Sequence, residues 1–263
     1  TVNVVSDLYP SITCVGDQSK STSPTGNCSY TVSGTEFNAT STSAGATLIN
    51  DFNNSATLAG AVFPHGTTFV TWTASQTVDG TLYTNDCSFY VFVNDNEKPV
   101  ITPPADVTTT NINYRCSAAG VNLGTPITTD NCGVLEVWNN QNNNTFPLGV
   151  NTVTWWVRDI HGNTASATQK VTVVDDDAPT FNCVASICRE VDEGKDYYTV
   201  FDHEFKPYNI YDCSGYTITN NINNSSSLVG YQFPIGETII IWTITDKVLP
   251  IPNVSTCTTT VTV

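Results

Sequence analysis

"FPHGTTFVTW", residues 63–72, decides the fold. Phe63 is apolar, Pro64 and Gly66 make a turn, and from Val70 apolar and polar residues alternate through Trp72 and on to Ala74. Proline holds φ near −65° and glycine reaches positive φ, so the first four residues turn the chain. The alternation that follows has the period of a half-buried strand. The stretch recurs as "FPLGVNTVTW" at 146–155 and "FPIGETIIIW" at 233–242. The three prolines are 83 and 87 residues apart, and each turn glycine lies six residues before its tryptophan. The turn therefore belongs to a repeating unit. Its Phe and Trp are expected in the core, because buried aromatics dominate core energetics; the sharper alternative is a carbohydrate-stacking platform.

Each unit closes with a second alternating run: "CSFYVFV" (87–93), "ATQKVTVV" (167–174) and "CTTTVTV" (257–263). Acidic linkers ending in proline follow the first two, "NDNEKP" (94–99) and "DDDAP" (175–179). Units of 80 to 90 residues, built of short strands and turn signals without helical periodicity, read as small sandwiches. The expectation is an all-β chain of three tandem immunoglobulin-like β-sandwich domains in an elongated array. Their bounds are 7–96, 97–176 and 177–263, with 1–6 the end of a preceding repeat. The pattern looks like a window on a longer array.

Composition agrees. Of 263 residues 40% are apolar, enough for real cores, and only 13% are charged. Thr, Ser and Asn supply the polar surface, a bias toward strands and turns. Nine Lys and Arg face 24 Asp and Glu, a net charge of −15. Such a surface repels phosphates, so nucleic acid and anionic lipid are poor partners, whereas cations and basic partners suit it. No run of 18 apolar residues offers a membrane span.

Nine cysteines lie far apart without CxxC spacing, which favours disulfides in an oxidising compartment over zinc ribbons. Four residues after the linker prolines stand Cys14, Pro103 and Cys183, and fifteen after the strand tryptophans stand Cys87, Lys170 and Cys257. Joint presence in units one and three, and joint absence in unit two, predicts Cys14–Cys87 and Cys183–Cys257. Within unit two Cys116 and Cys132 remain as candidates for each other, and within unit three Cys188 and Cys213. Cys28 is left as a free thiol or, alternatively, an intermolecular bond. Unit two, lacking the outer tie, is then expected to be the weakest link under force.

Taken together these features resemble the HYR (hyalin repeat) family of extracellular immunoglobulin-like modules. The resemblance rests on the FPxG turn before V-T-W, on "TDNCG" (129–133) echoed by "YDCSG" (211–215), and on "RDIHGNTA" (158–165), which looks like the family's D-x-x-G-N hairpin. It also rests on "ITCVGD" (12–17) and "ITPPAD" (101–106) as first strands. It covers nearly the whole chain, with departures: no outer cysteine pair in unit two and no G-N hairpin after Asp246. It implies tandem modules of a large secreted or cell-surface protein, often adhesive, partnered by neighbouring repeats of the same long chain, and no enzymatic activity. The Asn/Thr/Ser-rich, Lys-poor character also resembles bacterial surface adhesins.

No nucleophile or HExxH signature surrounds the three histidines, and no catalytic residue is expected. "DHE" (202–204) reads as a solvated acidic loop sooner than a metal site. The linkers carry more. Asp95, Asn96 and Glu97, with Asp106 just beyond, and Asp175, Asp176 and Asp177 offer the hard oxygen ligands that calcium takes; Asp7 starts a poorer site. Carboxylates this close repel unless a cation neutralises them, and a solvated linker is the plainer alternative. The loops at 136–146 and 219–228 are the candidate surfaces for extracellular glycan or protein. Sequons at Asn27, Asn38, Asn53, Asn143, Asn223, Asn224 and Asn253 are glycan acceptors if the source is eukaryotic.

Overall fold

The computed structural model describes residues 8–23 and 26–263; the predicted tail 1–6 and Asp7 lie outside them. Among the described residues every regular element is a strand. The first repeat holds β1 (Gln18–Ser21), β2 (Ser29–Thr31), β3 (Thr47–Asn50), β4 (Val62–Pro64), β5 (Gly66–Val78) and β6 (Thr81–Asn94). The second holds β7 (Val100–Thr102), β8 (Val107–Thr110), β9 (Ser117–Ala118), β10 (Ile127–Thr129), β11 (Val134–Asn139), β12 (Phe146–Pro147), β13 (Gly149–Asp159) and β14 (Thr164–Val174). The third holds β15 (Thr180–Asn182), β16 (Ile187–Cys188), β17 (Tyr197–Thr199), β18 (Tyr208–Tyr211), β19 (Tyr216–Asn220), β20 (Gln232–Pro234), β21 (Glu237–Asp246) and β22 (Val254–Thr262).

One plan underlies all three immunoglobulin-like sandwiches. A four-stranded sheet, β1-β6-β5-β3, recurs as β8-β14-β13-β11 and β16-β22-β21-β19. Its edge strand runs parallel to the long closing strand, as Gln18–Ser21 does beside Val91–Asn94 and Val107–Thr110 beside Val171–Val174. Short antiparallel ladders, β2-β4, β9-β12 and β17-β20, form the other layer.

The FPxG turn is where the chain changes layer. Pro64 still pairs with Ser29 in the short ladder, while Gly66 already pairs with Val93 in the long sheet. Proline at the end of β4 ends one ladder, since it has no N–H to donate. The glycine then takes φ of 105° at Gly66, 94° at Gly149 and 120° at Gly236, which side chains rarely tolerate. Phe63, Phe146 and Phe233 are all buried beneath it. In the first repeat Phe63 packs with Val32, Phe37, Val70, Trp72 and Phe89. In the third, Phe233 packs with Phe205, Ile218, Ile240 and Trp242. These aromatics are core residues, which excludes the stacking-platform alternative for Phe63, Phe233, Trp72 and Trp242.

The chain packs as two compact units. One comprises the first repeat to Thr102 with Pro126–Trp138 and Trp155–Ala167; the other comprises Pro103–Thr125, Asn139–Thr154 and Thr168–Val263. The second repeat contributes to both.

Candidate functional site

Four disulfides cross-link the described residues. Cys14–Cys87 and Cys183–Cys257 span 73 and 74 positions and tie the beginning of a repeat to its closing strand. The expected Cys116–Cys132 and Cys188–Cys213 do not form. Cys28 is bonded to Cys132 and Cys116 to Cys213, with Cα atoms 4.6 and 5.2 Å apart; Cys188, not Cys28, is the free thiol. The reason is placement. Cys28 immediately precedes β2, and its carbonyl accepts the His65 N–H of the FPHG turn at 3.2 Å. Cys116 stands in the same place before β9, accepting Leu148 N–H at 3.2 Å. Their partners Cys132 and Cys213 lie in the loops just after Asp130 and Asp212 of the next repeat. Cys116 and Cys132 belong to different compact units, and Cys188 sits exposed on edge strand β16. The second repeat is thus not the untied one: every residue of 97–176 lies inside the loop closed by Cys28–Cys132 or by Cys116–Cys213.

Around the Cys28–Cys132 staple three carboxylates converge. Oxygens of Asp95, Asp130 and Asp159 lie within 4.8 Å of one another. Asp95 follows β6, Asp130 follows β10 and Asp159 ends β13. Backbone amides hold the last two in place: Asp130 Oδ1 accepts from Cys132 and Gly133 N–H at 2.9 Å each. Asp159 Oδ1 accepts from His161 and Asn163 N–H at 2.8 and 2.9 Å. The Asn163 amide bridges Asp159 Oδ2 and the Asp95 carbonyl at 2.8 and 3.2 Å. Asp95 Oδ2 is 2.9 Å from His161 Nδ1, and the His65 ring lies against His161 with centroids 3.7 Å apart. Burial works against ionising Asp95. Hydrogen bonds from His161, Glu97 N–H and Asn131 outweigh it and hold its pKa below the usual carboxylate value. Cys132 also lies near Asp95 and His161, but as half of a disulfide it offers no thiolate to a metal.

The same plan is built again around Cys116–Cys213. Asp212 Oδ1 accepts from Ser214 N–H at 2.9 Å, and Asp246 Oδ1 from Val248 and Asn253 N–H at 3.1 and 3.0 Å. Asn253 bridges Asp246 Oδ2 and the Asp177 carbonyl at 2.9 and 3.4 Å. Burial raises the pKa of Asp175; amide hydrogen bonds from Asp177 and Ser214 oppose this, and the charges of Asp212 and Asp177 add to it. Asp177 Oδ2 is taken by Asn111 and Tyr114.

The residues expected at the linkers therefore divide. Asp95 and Glu97 join the first corner, and Asp175 and Asp177 the second. Asn96 is exposed and donates to Ser21 Oγ at 3.0 Å. Asp176 is exposed, its N–H bonded to Asn111 Oδ1. Asp106 accepts Lys170 N–H at 2.8 Å and ties its strand to β14, as Asp17 does for Tyr90. Asp130, Asp159, Asp212 and Asp246 are not among the expected ligands, although "TDNCG", "RDIHGN" and "YDCSG" carry the first three and "ETIIIWTITD" ends on the fourth. In "DHE", Glu204 is bonded to Arg189 and Tyr198, while His203 pairs only with its neighbour Asp202.

The candidate glycan loop 219–228 is a self-bonded turn. Asn220 Nδ2 reaches Ser225 O at 2.7 Å and Asn223 Nδ2 reaches Ser227 O at 3.0 Å. Asn50 and Asn53 do the same in the first repeat, at 2.6 and 3.0 Å. In the loop at 136–146, Asn140 exchanges hydrogen bonds with Thr154.

A recurring FPxG layer change with paired carboxylate corners calls for comparison with known repeats. The HYR domain model matches residues 94–173 and 174–263. The chain belongs to the HYR domain family. Relatives include Hyalin of Strongylocentrotus purpuratus, 32% identical over 234 residues, and Hyalin of Lytechinus variegatus, 32% identical over 235. Either alignment covers 87% of this chain but only 18% and 42% of those proteins. Among solved structures the HYR chain is similar to mouse cadherin-23 EC22-24, at TM-score 0.39 and 14% identity, covering 97% of this chain and 98% of that one. Drosophila N-cadherin EC1-4 follows at TM-score 0.39 and 12% identity, covering 94% and 72%. With its four cystines, the HYR chain has the make-up of a cross-linked tandem-repeat module.

Proposed function

We propose that this segment is a non-catalytic, load-bearing spacer in a longer secreted or cell-surface chain, partnered first by neighbouring repeats of that chain. The observation that carries the reading is the overlap of the cystine loops: 14–87, 28–132, 116–213 and 183–257. Each loop shares residues with the next, so no bond-free stretch separates one repeat from its neighbour. Stable structural disulfides belong to oxidising compartments, which supports an extracellular address. The self-bonded turns at the sandwich ends support a spacer over a glycan reader.

Overlap sets how far the chain extends before a covalent bond must break. The shortest path from Cys14 to Cys257 crosses three disulfides. It uses only the backbone from Cys87 to Cys116 and from Cys183 to Cys213, about 60 residues. At roughly 3.5 Å per extended residue that is about 20 nm, against about 85 nm for the open chain. Single-molecule pulling tests the reading. The oxidised chain is expected to gain no more than about 20 nm between those cysteines, and the reduced chain to release the rest. Separate full-length unfolding steps from each repeat under oxidising conditions would contradict it.

A further inference from the structure

We propose that the first acidic corner is a binding site for a hard divalent cation of the calcium class, held by Asp95, Asp130 and Asp159 with Glu97 and Asn131. It deepens the spacer reading by naming what locks the corner beside the Cys28–Cys132 staple, and it stands or falls separately from the disulfide pattern. Three carboxylates within 4.8 Å are one observation. Asp159 is fully buried and Asp95 nearly so, which leaves little water to screen them.

An independent observation points to a missing partner. Asp130 Oδ2, Asn131 Oδ1 and Glu97 Oε2 are shut off from solvent, and none has a hydrogen-bond donor. Native structures rarely leave buried oxygens unsatisfied, and an ion is among the standard explanations. All three are carboxylate or amide oxygens that offer lone pairs, so they suit a cation and not another acceptor. With the converging carboxylates of Asp95 and Asp159, and with Glu97, Asp130 and Asn131 lining one cavity, the corner offers oxygens of five residues; Ca²⁺ takes six to eight oxygens at 2.3–2.6 Å, water among them. Zinc prefers nitrogen and sulfur; here the cystine offers no thiolate, and His161 Nδ1 is already engaged with Asp95 Oδ2 at 2.9 Å.

Two comparisons within the chain sharpen the point. At the second corner no oxygen of Asp175, Asp212 or Asp246 is both buried and unpartnered, and Asn111 and Tyr114 already occupy Asp177. At the far end of the first repeat none of the described residues lining the cavity of Ser11, Thr42, Ser43, Gln76 and Asn85 is a carboxylate. Gln76 stands there four residues after Trp72, as Asp159 does after Trp155. Among the described residues, then, the buried unpartnered carboxylate oxygens gather at the first junction.

The test is thermal unfolding of the intact oxidised chain in calcium chloride, in EDTA, and in sodium chloride of matched ionic strength. Calcium at about 10 mM is expected to raise the midpoint of the wild type by a few degrees, with an affinity in the 10⁻⁴–10⁻³ M range of extracellular modules. Asp130→Asn keeps the oxygen that accepts Cys132 and Gly133 N–H, so in EDTA it is expected to unfold no earlier than the wild type. It should need at least tenfold more calcium. Glu97→Gln, in the linker between β6 and β7, should act the same way, and Asp212→Asn at the second corner should leave the response unchanged. Stabilisation that sodium chloride reproduces would overturn the site, as would one that the Asp130→Asn, Glu97→Gln double variant keeps, or no stabilisation up to 20 mM calcium.

Discussion

Cys28 is joined to Cys132 across 104 positions of sequence, so the turn corner of one repeat is bonded to the loop between β10 and β11 of the next. Cys116 and Cys213 repeat the arrangement one module later. In the third repeat the residue before the equivalent strand β17 is Asp196, so no such staple starts there.

Opening the first of these staples should cost more than a surface change. A cross-link closing about 100 residues is worth up to about 5 kcal/mol in the chain-entropy account, and 2–4 kcal/mol is typical. Replacing Cys28 and Cys132 together by serine is expected to lower the unfolding midpoint by about 5–15 °C, while Cys188→Ser, at an exposed free thiol, leaves it unchanged. Calorimetry on both variants decides the matter; equal effects would contradict the assignment.

Trp72 and Trp242 occupy the same place in two repeats and are both fully buried, yet their indole N–H groups differ. Trp242 Nε1 donates to Phe205 O at 2.8 Å, whereas Trp72 Nε1 has no partner. Trp→Phe leaves a similar void at each site, but at 242 it also strands a buried carbonyl, costing about 1–3 kcal/mol. Trp242→Phe should therefore be the more destabilising of the two in denaturant titrations. The reverse order would contradict the hydrogen-bond assignment.

Gly66 has open space where a Cβ would go, yet its φ is +105°. Gly66→Ala should cost about 1–3 kcal/mol through backbone strain alone. Gly16, with open space and no positive φ, is the control whose alanine variant should be near neutral. Urea midpoints of the two variants read the difference.

Acid should loosen the first repeat at Glu36. Burial works against its charge, but Lys20 at 2.7 Å, the Tyr30 hydroxyl and the Ser33 N–H prevail and hold its pKa below 4.5. A carboxyl with a depressed folded pKa contributes stability above its unfolded pKa and loses it as pH falls through the folded value. Stability should thus decline below about pH 4.5, and Glu36→Gln should flatten that decline. An unchanged pH profile in the variant would remove Glu36 as a cause.

Much of this was legible in the sequence because it repeats. The FPxG turns and alternating strands mark the modules, since proline, glycine and period-two burial act locally. The Cys14–Cys87 and Cys183–Cys257 pairs announced themselves by joint presence at fixed spacing. Cys28–Cys132 and Cys116–Cys213 did not, because pairing was sought within repeats, and nothing local tells a loop cysteine that its partner lies in the next module. The acidic corners were half visible for the same reason. Asp95 and Glu97 stand together in a linker, but Asp130 and Asp159 reach them only through the ends of β10 and β13. In the sequence "TDNCG" stands as a signature of the repeat and "RDIHGN" as a hairpin, and the amide hydrogen bonds that shape these turns also hold the two aspartates in place.

Peptide mapping of the unreduced protein tests the central claim most directly. Proteolysis at acidic pH with free thiols blocked, followed by mass spectrometry, is expected to recover Cys28 linked to Cys132 and Cys116 linked to Cys213, with the block on Cys188. Recovery of Cys116–Cys132 or Cys188–Cys213, with Cys28 blocked, would contradict an array stapled from one repeat to the next.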